Sequence, residues 1–175
     1  MEIKFNYRKE VTPELLFSEA NRKLNANESL EEVIDMLYAI SKDYPNFGKV
    51  YNHLGWIFET KFRDYAKAEE NYKMALDLSP DYPAIYKNYA YTLERLGKLD
   101  EMEALLKKGL DQPATNKEAI HRLYGRLHEL KGDFDKAIVE FRHAITNSFS
   151  NDDINELEEG IKRCEKKKAL LRTEE

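Results

Sequence analysis

Residues 51–80 read YNHLGWIFETKFRDYAKAEENYKMALDLSP, two blocks of apolar side chains at helical spacing that are separated by a polar turn and closed by Pro80. The pattern returns in residues 121–144, HRLYGRLHELKGDFDKAIVEFRHA, with Gly125 in place of Gly55. Gly125 lies 70 residues after Gly55, and Ala90 lies midway between them, so the repeating unit is 35 residues long. A unit of this length with two apolar stripes predicts a pair of antiparallel helices.

The same unit can be followed along most of the chain. We predict an arm at 1–12, four helix pairs at 13–45, 48–80, 83–113 and 116–147, a capping helix at 152–171 and a tail at 172–175. Thr12 and Pro13 form a typical helix start, and Ser29 begins a capping box. Apolar and polar residues alternate in the arm, which predicts an extended segment. The arm folds back on the helices, adds to a partner's sheet or exchanges between protomers, and the pattern leaves these three roles open.

The composition excludes several classes of protein. The chain has 175 residues, and its 28 Lys and Arg against 33 Asp and Glu give a net charge of -5, the opposite of the balance that nucleic-acid binding favours. A hydrophobic fraction of 42% is too high for a disordered chain. Cys164 is the single cysteine, and no stretch has the apolar character of a signal peptide or a membrane span. We therefore expect one cytoplasmic domain that contacts neither membrane nor nucleic acid.

Small residues recur where the two helices of a pair would cross. Gly55 and Ala68 form one such set, and Gly125 and Ala137 form another. A residue with little or no side chain lets two helix backbones approach to about 8 Å. The aromatic residues Tyr72 and Phe141 are then expected to fill the space beyond the crossings.

These residues resemble the tetratricopeptide repeat, whose consensus carries an aromatic, Leu-Gly, Tyr, Ala, an aromatic, Ala and Pro at fixed offsets. The second unit matches with one additional residue around Phe62 and Arg63, the fourth matches without gaps, and the first and third match more loosely. The pentatricopeptide repeat, which reads RNA, is disfavoured because its basic surface is missing. The resemblance implies an all-α, right-handed solenoid with a concave groove that binds extended peptides or partner helices.

Family geometry assigns the groove to the first helix of each pair. Asn side chains there can bond a partner's backbone, Trp56 and Tyr91 offer aromatic contact area, and two arginines one turn apart can bind carboxylates. Trp56 could also pack inside the superhelix, and the arginines could pair with Glu129 or with Glu156 of the last helix. The full predicted set is Phe17, Asn21, Lys49, Asn52, Trp56, Lys87, Asn88, Tyr91, Arg122 and Arg126, interspersed with Glu14, Glu59, Glu94 and Glu129.

Some relatives clamp the free carboxylate of chaperone tails with a set of Lys, Asn and Arg residues. Asn88 stands at the middle position of that set, but Asn52 and Trp56 replace its first pair, and Ala119 and Leu123 replace its last. Binding of such a tail is therefore not expected.

Nothing in the sequence has the pattern of a catalytic or cofactor site. His121 and His128 share a helix face, but no further ligand completes a metal set, so packing between paired helices is expected for both. We predict a non-catalytic module without metal, cofactor or small-molecule substrate, which binds a protein or peptide as an adaptor or scaffold. The alternative is a dedicated chaperone that keeps an assembly-prone client soluble, and a homodimer stays open.

Overall fold

The computed structural model describes residues 11–26 and 28–172, and within these ranges the chain contains helices and no strand. The first ten residues of the predicted arm and the last three residues of the predicted tail lie outside the described part. The helices are α1 (Pro13–Asn25), α2 (Leu30–Asp43), α3 (Gly48–Ile57), α4 (Tyr65–Leu78), α5 (Ala84–Arg95), α6 (Leu99–Asp111), α7 (Lys117–Lys131), α8 (Phe134–Thr146) and α9 (Asn151–Arg172).

Side-chain caps define where several of these helices begin. The hydroxyl of Thr12 accepts a hydrogen bond from the backbone N–H of Leu15, with Pro13 in the first turn, as predicted. Asp64 and Asn116 cap α4 and α7 through the same bond to the third residue of the helix. Gly132 ends α7 with φ at +80°, a left-handed conformation that glycine adopts without steric cost.

Consecutive helices pack as antiparallel pairs, and the pairs stack side by side. The packed pairs are α1 with α2, α3 with α4, α5 with α6, and α7 with α8, while α9 packs on α8. The first helices of neighbouring pairs also touch, since α3 contacts α5, α5 contacts α7 and α7 contacts α9. The expected all-α solenoid of helix pairs is confirmed.

The buried side chains follow the stack and do not converge on one centre. One cluster joins α1, α2 and α3, a second runs from α4 to α7, and a third lies between α8 and α9. Each pair therefore buries apolar surface both between its own two helices and against the adjacent pairs, as in repeat proteins generally.

Two glycines of the repeat allow an aromatic ring to lie directly on a helix backbone. A Cβ atom built at Gly55 would lie 2.9 Å from the ring of Tyr72, and one built at Gly125 would lie 2.5 Å from the ring of Phe141. In each pair the aromatic ring thus lies directly against the glycine of the facing helix. Because a ring is flat, it fills a narrow space that a branched side chain would not fit.

The additional residue of the second unit lies at the end of α3. Residues Phe58–Phe62 form a π-helical turn that continues α3, and Arg63 follows with φ at 54°. A π turn holds one residue more than an α turn of the same rise, so it absorbs the insertion without displacing α4.

Candidate partner-binding groove

The predicted groove residues lie on α1, α3, α5 and α7, and the structure divides them into two regions with different chemistry. The first, which we call the amide groove, is a cavity of about 410 Å³ between α1, α3 and α5. Its lining includes Asn21, Asn25, Asn52, Trp56 and Asn88. The second, which we call the ion-pair cluster, surrounds a cavity of about 300 Å³ between α5, α7 and α9 and includes Glu94, Arg122, Arg126, Glu129 and Arg163.

Asparagine amides connect α3 to α5 in the amide groove. The Asn88 side-chain amide donates to the Asn52 side-chain oxygen at 3.2 Å, although the two residues are 36 positions apart. Asn52 is only 1% exposed, whereas Asn21 and Asn88 are half-buried, and all three line the cavity. Amides at such positions can donate to and accept from the backbone of an extended peptide.

Trp56 is half-buried and borders two cavities at once. It lines the amide groove on one side and, on the other, a cavity of about 350 Å³ that also involves Leu24, Asn25 and Leu30. The Lys61 ammonium lies 5.6 Å from the centre of the indole ring, within the range of a cation–π contact. A partly open aromatic surface at the centre of a groove is a typical anchor for a partner side chain.

The side chain of Phe17 is buried, although the sequence predicted it as a groove residue. The side chain is 8% exposed, and its ring packs edge-on against Phe47 and His53, with centroid distances of 5.4 and 4.5 Å. α1 turns this side chain inward, into the buried cluster that it shares with α2 and α3. Phe17 therefore belongs to the core beneath the groove.

The two lysines predicted for the groove lie around the amide groove. The Lys49 ammonium is held over two aromatic rings, 5.5 Å from Tyr82 and 5.9 Å from Phe47. Lys87 is exposed on α5, next to Asn88. Tyr91, one turn further along α5, is half-buried and lies under the guanidinium of Arg126 at 5.7 Å.

Arg122 of the ion-pair cluster is bound by carboxylates of its own chain. Its guanidinium donates to Glu118 on the same helix at 2.7 Å, and to Asp153 and Glu156 on α9 at 2.8 and 2.5 Å. Although burial alone would lower the pKa of Arg122, the hydrogen bonds to Glu118 and Glu156 raise it overall. Of the two roles considered from the sequence, pairing with the last helix is the one observed.

Arg126 pairs with Glu94 on α5 and not with Glu129, and it thereby links α7 to α5. Its guanidinium forms a two-point contact with Glu94, with donor–acceptor distances of 3.0 and 2.5 Å. Paired parallel hydrogen bonds of this kind fix the relative orientation of both side chains. Arg126 thus sets the position of the fourth pair relative to the third.

Glu129 forms the equivalent link from α7 to α9. Arg163 contacts both carboxylate oxygens at 2.7 and 2.6 Å, and Lys167 contacts one of them at 2.8 Å. The hydrogen bonds from Arg163 and Lys167 outweigh the effect of burial and lower the pKa of Glu129 to about 2. Glu59, Glu94 and Glu129 recur every 35 residues. This interval places a glutamate at the same position of three units, although it does not show which of the three meets a cation.

Glu59, the first member of this row, has a different partner. Its carboxylate accepts a hydrogen bond from the buried hydroxyl of Tyr72 at 2.9 Å. Burial raises the pKa of Glu59 despite that bond and the nearby charge of Arg95. Glu59 therefore interacts with Tyr72 of its own helix pair and with Thr92 and Arg95 of the next pair. Within the described residues it forms no ion pair like those of the other two glutamates.

The histidines of α7 pack against neighbouring rings. His121 contacts Glu140 on α8 at 2.8 Å and lies beside His143, while the ring of His128 stacks on Tyr124. Across residues 11–26 and 28–172, no group of three His, Cys, Asp or Glu side chains is arranged to hold a metal ion. None of the helices in the same ranges is long and apolar enough to cross a bilayer.

Comparison with solved structures supports the fold. PilW, a widely conserved type IV pilus biogenesis factor, matches with a TM-score of 0.68 and 16% identity, covering 93% of this chain and 77% of PilW. A thermophilic TPR protein from Thermus thermophilus matches with a TM-score of 0.67 and 19% identity, over 86% of this chain and 81% of that protein. The TPR domain of Arabidopsis OM64 matches with a TM-score of 0.60 and 21% identity, over 69% of this chain and 98% of that domain.

Comparison with known sequences identifies the repeat. No curated protein sequence matches the chain. Two models of the tetratricopeptide repeat match it, one over residues 60–127 and the other over residues 123–151. Together these matches span more than half of the chain, and they include the α7–α8 pair, in which Gly125 and the ring of Phe141 interlock. The chain belongs to the tetratricopeptide repeat family.

Proposed function

We propose that this protein binds an extended segment of a partner protein in the amide groove and acts as a non-catalytic adaptor or scaffold. The tetratricopeptide repeat fold supports a role in protein–protein interaction. The observation that carries the more specific proposal is the combination of half-buried amides with a partly open Trp56 around one cavity. Amides recognise the backbone of an extended chain, and an indole ring supplies contact area for a side chain.

The ion-pair cluster has a structural role in this proposal. Arg122 and Arg126 were predicted to bind carboxylates of a partner, but each already binds carboxylates of this chain. A partner would have to displace these internal bonds, which leaves a buried charge unpaired. The amide groove offers binding groups without that cost, and binding is therefore proposed for the N-terminal half of the solenoid.

A display experiment tests this assignment directly. Random peptides of about ten residues would be selected against the immobilised protein, and the enriched peptides would be measured by fluorescence anisotropy. Trp56→Ala combined with Asn88→Ala should weaken their binding at least tenfold, since both changes remove groups that line the cavity. Tyr38→Ala, at an exposed aromatic residue of α2, is the matched control and should leave binding unchanged. Failure to enrich any peptide, or binding that survives the double change, would contradict the proposal.

A further inference from the structure

The lysines around the amide groove differ from the other groove cations in lacking carboxylate partners. Lys49 and Lys61 lie over aromatic rings, and Lys87 projects into solvent. In the described part of the chain, none of these three ammonium groups is paired with an Asp or Glu side chain. An ammonium over an aromatic ring keeps its charge and remains able to meet an anion.

The cavity itself contributes no competing negative charge. Its described lining consists of amide, imidazole, aromatic and aliphatic groups, with no carboxylate. The neighbouring cavity on the other side of Trp56 includes Glu28, but that carboxylate is bound by Arg22 at 3.0 Å and by Lys23 at 2.9 Å. Glu59, further along the chain after α3, is turned toward Tyr72. The described lining of the amide groove therefore adds no carboxylate next to the unpaired lysines.

The ion-pair cluster shows the opposite arrangement within the same solenoid. Arg122, Arg126, Arg163 and Lys167 each contact at least one carboxylate of the chain. The net charge of -5 consequently says little about the groove, because the groove cations that are paired with carboxylates belong to the ion-pair cluster. Among the predicted groove cations, those without a carboxylate partner in the described residues are Lys49 and Lys87, both beside the amide groove.

We infer that the segment bound in the amide groove is acidic, with carboxylate side chains meeting Lys49 and Lys87 and a large apolar side chain meeting Trp56. This inference rests on the proposed function and names the chemistry of the partner. Lys49 and Trp56 are seven residues apart on one helix, a rise of about 10 Å. An extended peptide spans that distance in about three residues. The binding motif therefore places an acidic residue about three positions from the apolar residue.

The same peptide selection distinguishes this inference from the proposed function. Peptides enriched on the wild-type protein should carry net negative charge and the acidic-to-apolar spacing given above. Selection on Lys49→Glu combined with Lys87→Glu should lose that bias, and a peptide enriched on the wild type should bind this variant at least tenfold more weakly. Lys107→Glu combined with Lys108→Glu changes the net charge equally at exposed positions of α6 and should alter affinity less than twofold.

Each outcome decides one of the two claims. Peptides that depend on Trp56 but show no acidic bias would overturn the inference and leave the groove assignment standing. An acidic bias that persists unchanged in the Lys49→Glu, Lys87→Glu variant would also overturn it. Helical circular dichroism equal to that of the wild type would show that the variant is folded. A fall in affinity between about 50 and 500 mM NaCl is expected for the wild type and should be much smaller for the variant.

Discussion

Replacing Gly125 by alanine tests the glycine–aromatic interlock that holds the fourth helix pair together. The added methyl group would lie 2.5 Å from Cδ1 and Cε1 of Phe141, about 1 Å closer than an ordinary contact. Phe141 is 2% exposed, and the opposite edge of its ring faces α9. A Cβ built at Gly160 would lie only 3.2 Å from that edge. The ring is therefore enclosed between two glycines and has little room to move away.

The expected free energy combines two opposing effects. Overpacking a buried site by one methyl group costs about 1–3 kcal/mol. Alanine is favoured over glycine within a helix by about 1 kcal/mol, so the net change should be a loss of up to about 2 kcal/mol. Without the ring contact, the same substitution would stabilise the protein by that helix preference alone. The sign of the change therefore reports whether the interlock exists.

Urea unfolding followed by circular dichroism at 222 nm provides the measurement. Phe141→Leu serves as the background in a double-mutant cycle, because it removes the ring that the methyl group meets. Gly125→Ala should be about 1–3 kcal/mol less unfavourable in that background than in the wild type. A stabilising effect of Gly125→Ala in the wild type, or equal effects in both backgrounds, would refute the packing argument.

Three further predictions concern residues whose roles the structure redefined. Glu129→Gln should destabilise the protein at pH 7 by about 1–2 kcal/mol, because Arg163 and Lys167 lose a charged acceptor. The lowered pKa of Glu129 means that its contribution is complete above pH 4.5 and lost as the pH falls through about 2, so unfolding curves of variant and wild type should converge at the acidic end. A cycle of Glu94→Gln and Arg126→Ala should yield a coupling energy of about 1 kcal/mol in chemical unfolding, whereas additive effects would argue against the link between α5 and α7. Phe17→Ala should lower the free energy of unfolding by about 3 kcal/mol, because the side chain is buried. Lys87→Ala, at an exposed position, is the control and should change it by less than about 0.5 kcal/mol. Similar melting temperatures for the two variants would show that Phe17 lies on the groove surface and not in the core.

The helix pairs and the family could be predicted from the sequence because both depend on local and periodic information. Apolar stripes at helical spacing specify which face of each helix is buried, and recurrence every 35 residues specifies that the unit repeats. The same periodicity located the additional residue near Phe62, where the structure has its π turn. In a repeat protein each unit contacts only its neighbours, so these local signals account for most of the architecture.

The partner-binding residues were harder to predict, because whether a side chain is free to bind a partner depends on its contacts with residues distant in sequence. Phe17, Asn52 and Arg122 all occupy groove positions in the sequence pattern, yet the structure places the first in the core, hydrogen-bonds the second to Asn88 and pairs the third with α9. The interval of 35 residues between the glutamates was visible in the sequence, but it did not reveal which glutamate meets a cation.

Sequence by itself determined the period, the helices and the chemical types of the side chains along the concave side. Only the tertiary structure decided which charges are satisfied within the chain and which remain for a partner. The physical reason is that ion pairing depends on distances of a few ångströms between helices, and a shift of one turn would exchange one partner for another. Lys49 and Lys87 are proposed to bind the partner because no carboxylate of the described residues pairs with them. Arg126, which the sequence predicted as a partner-binding residue, is instead paired with Glu94.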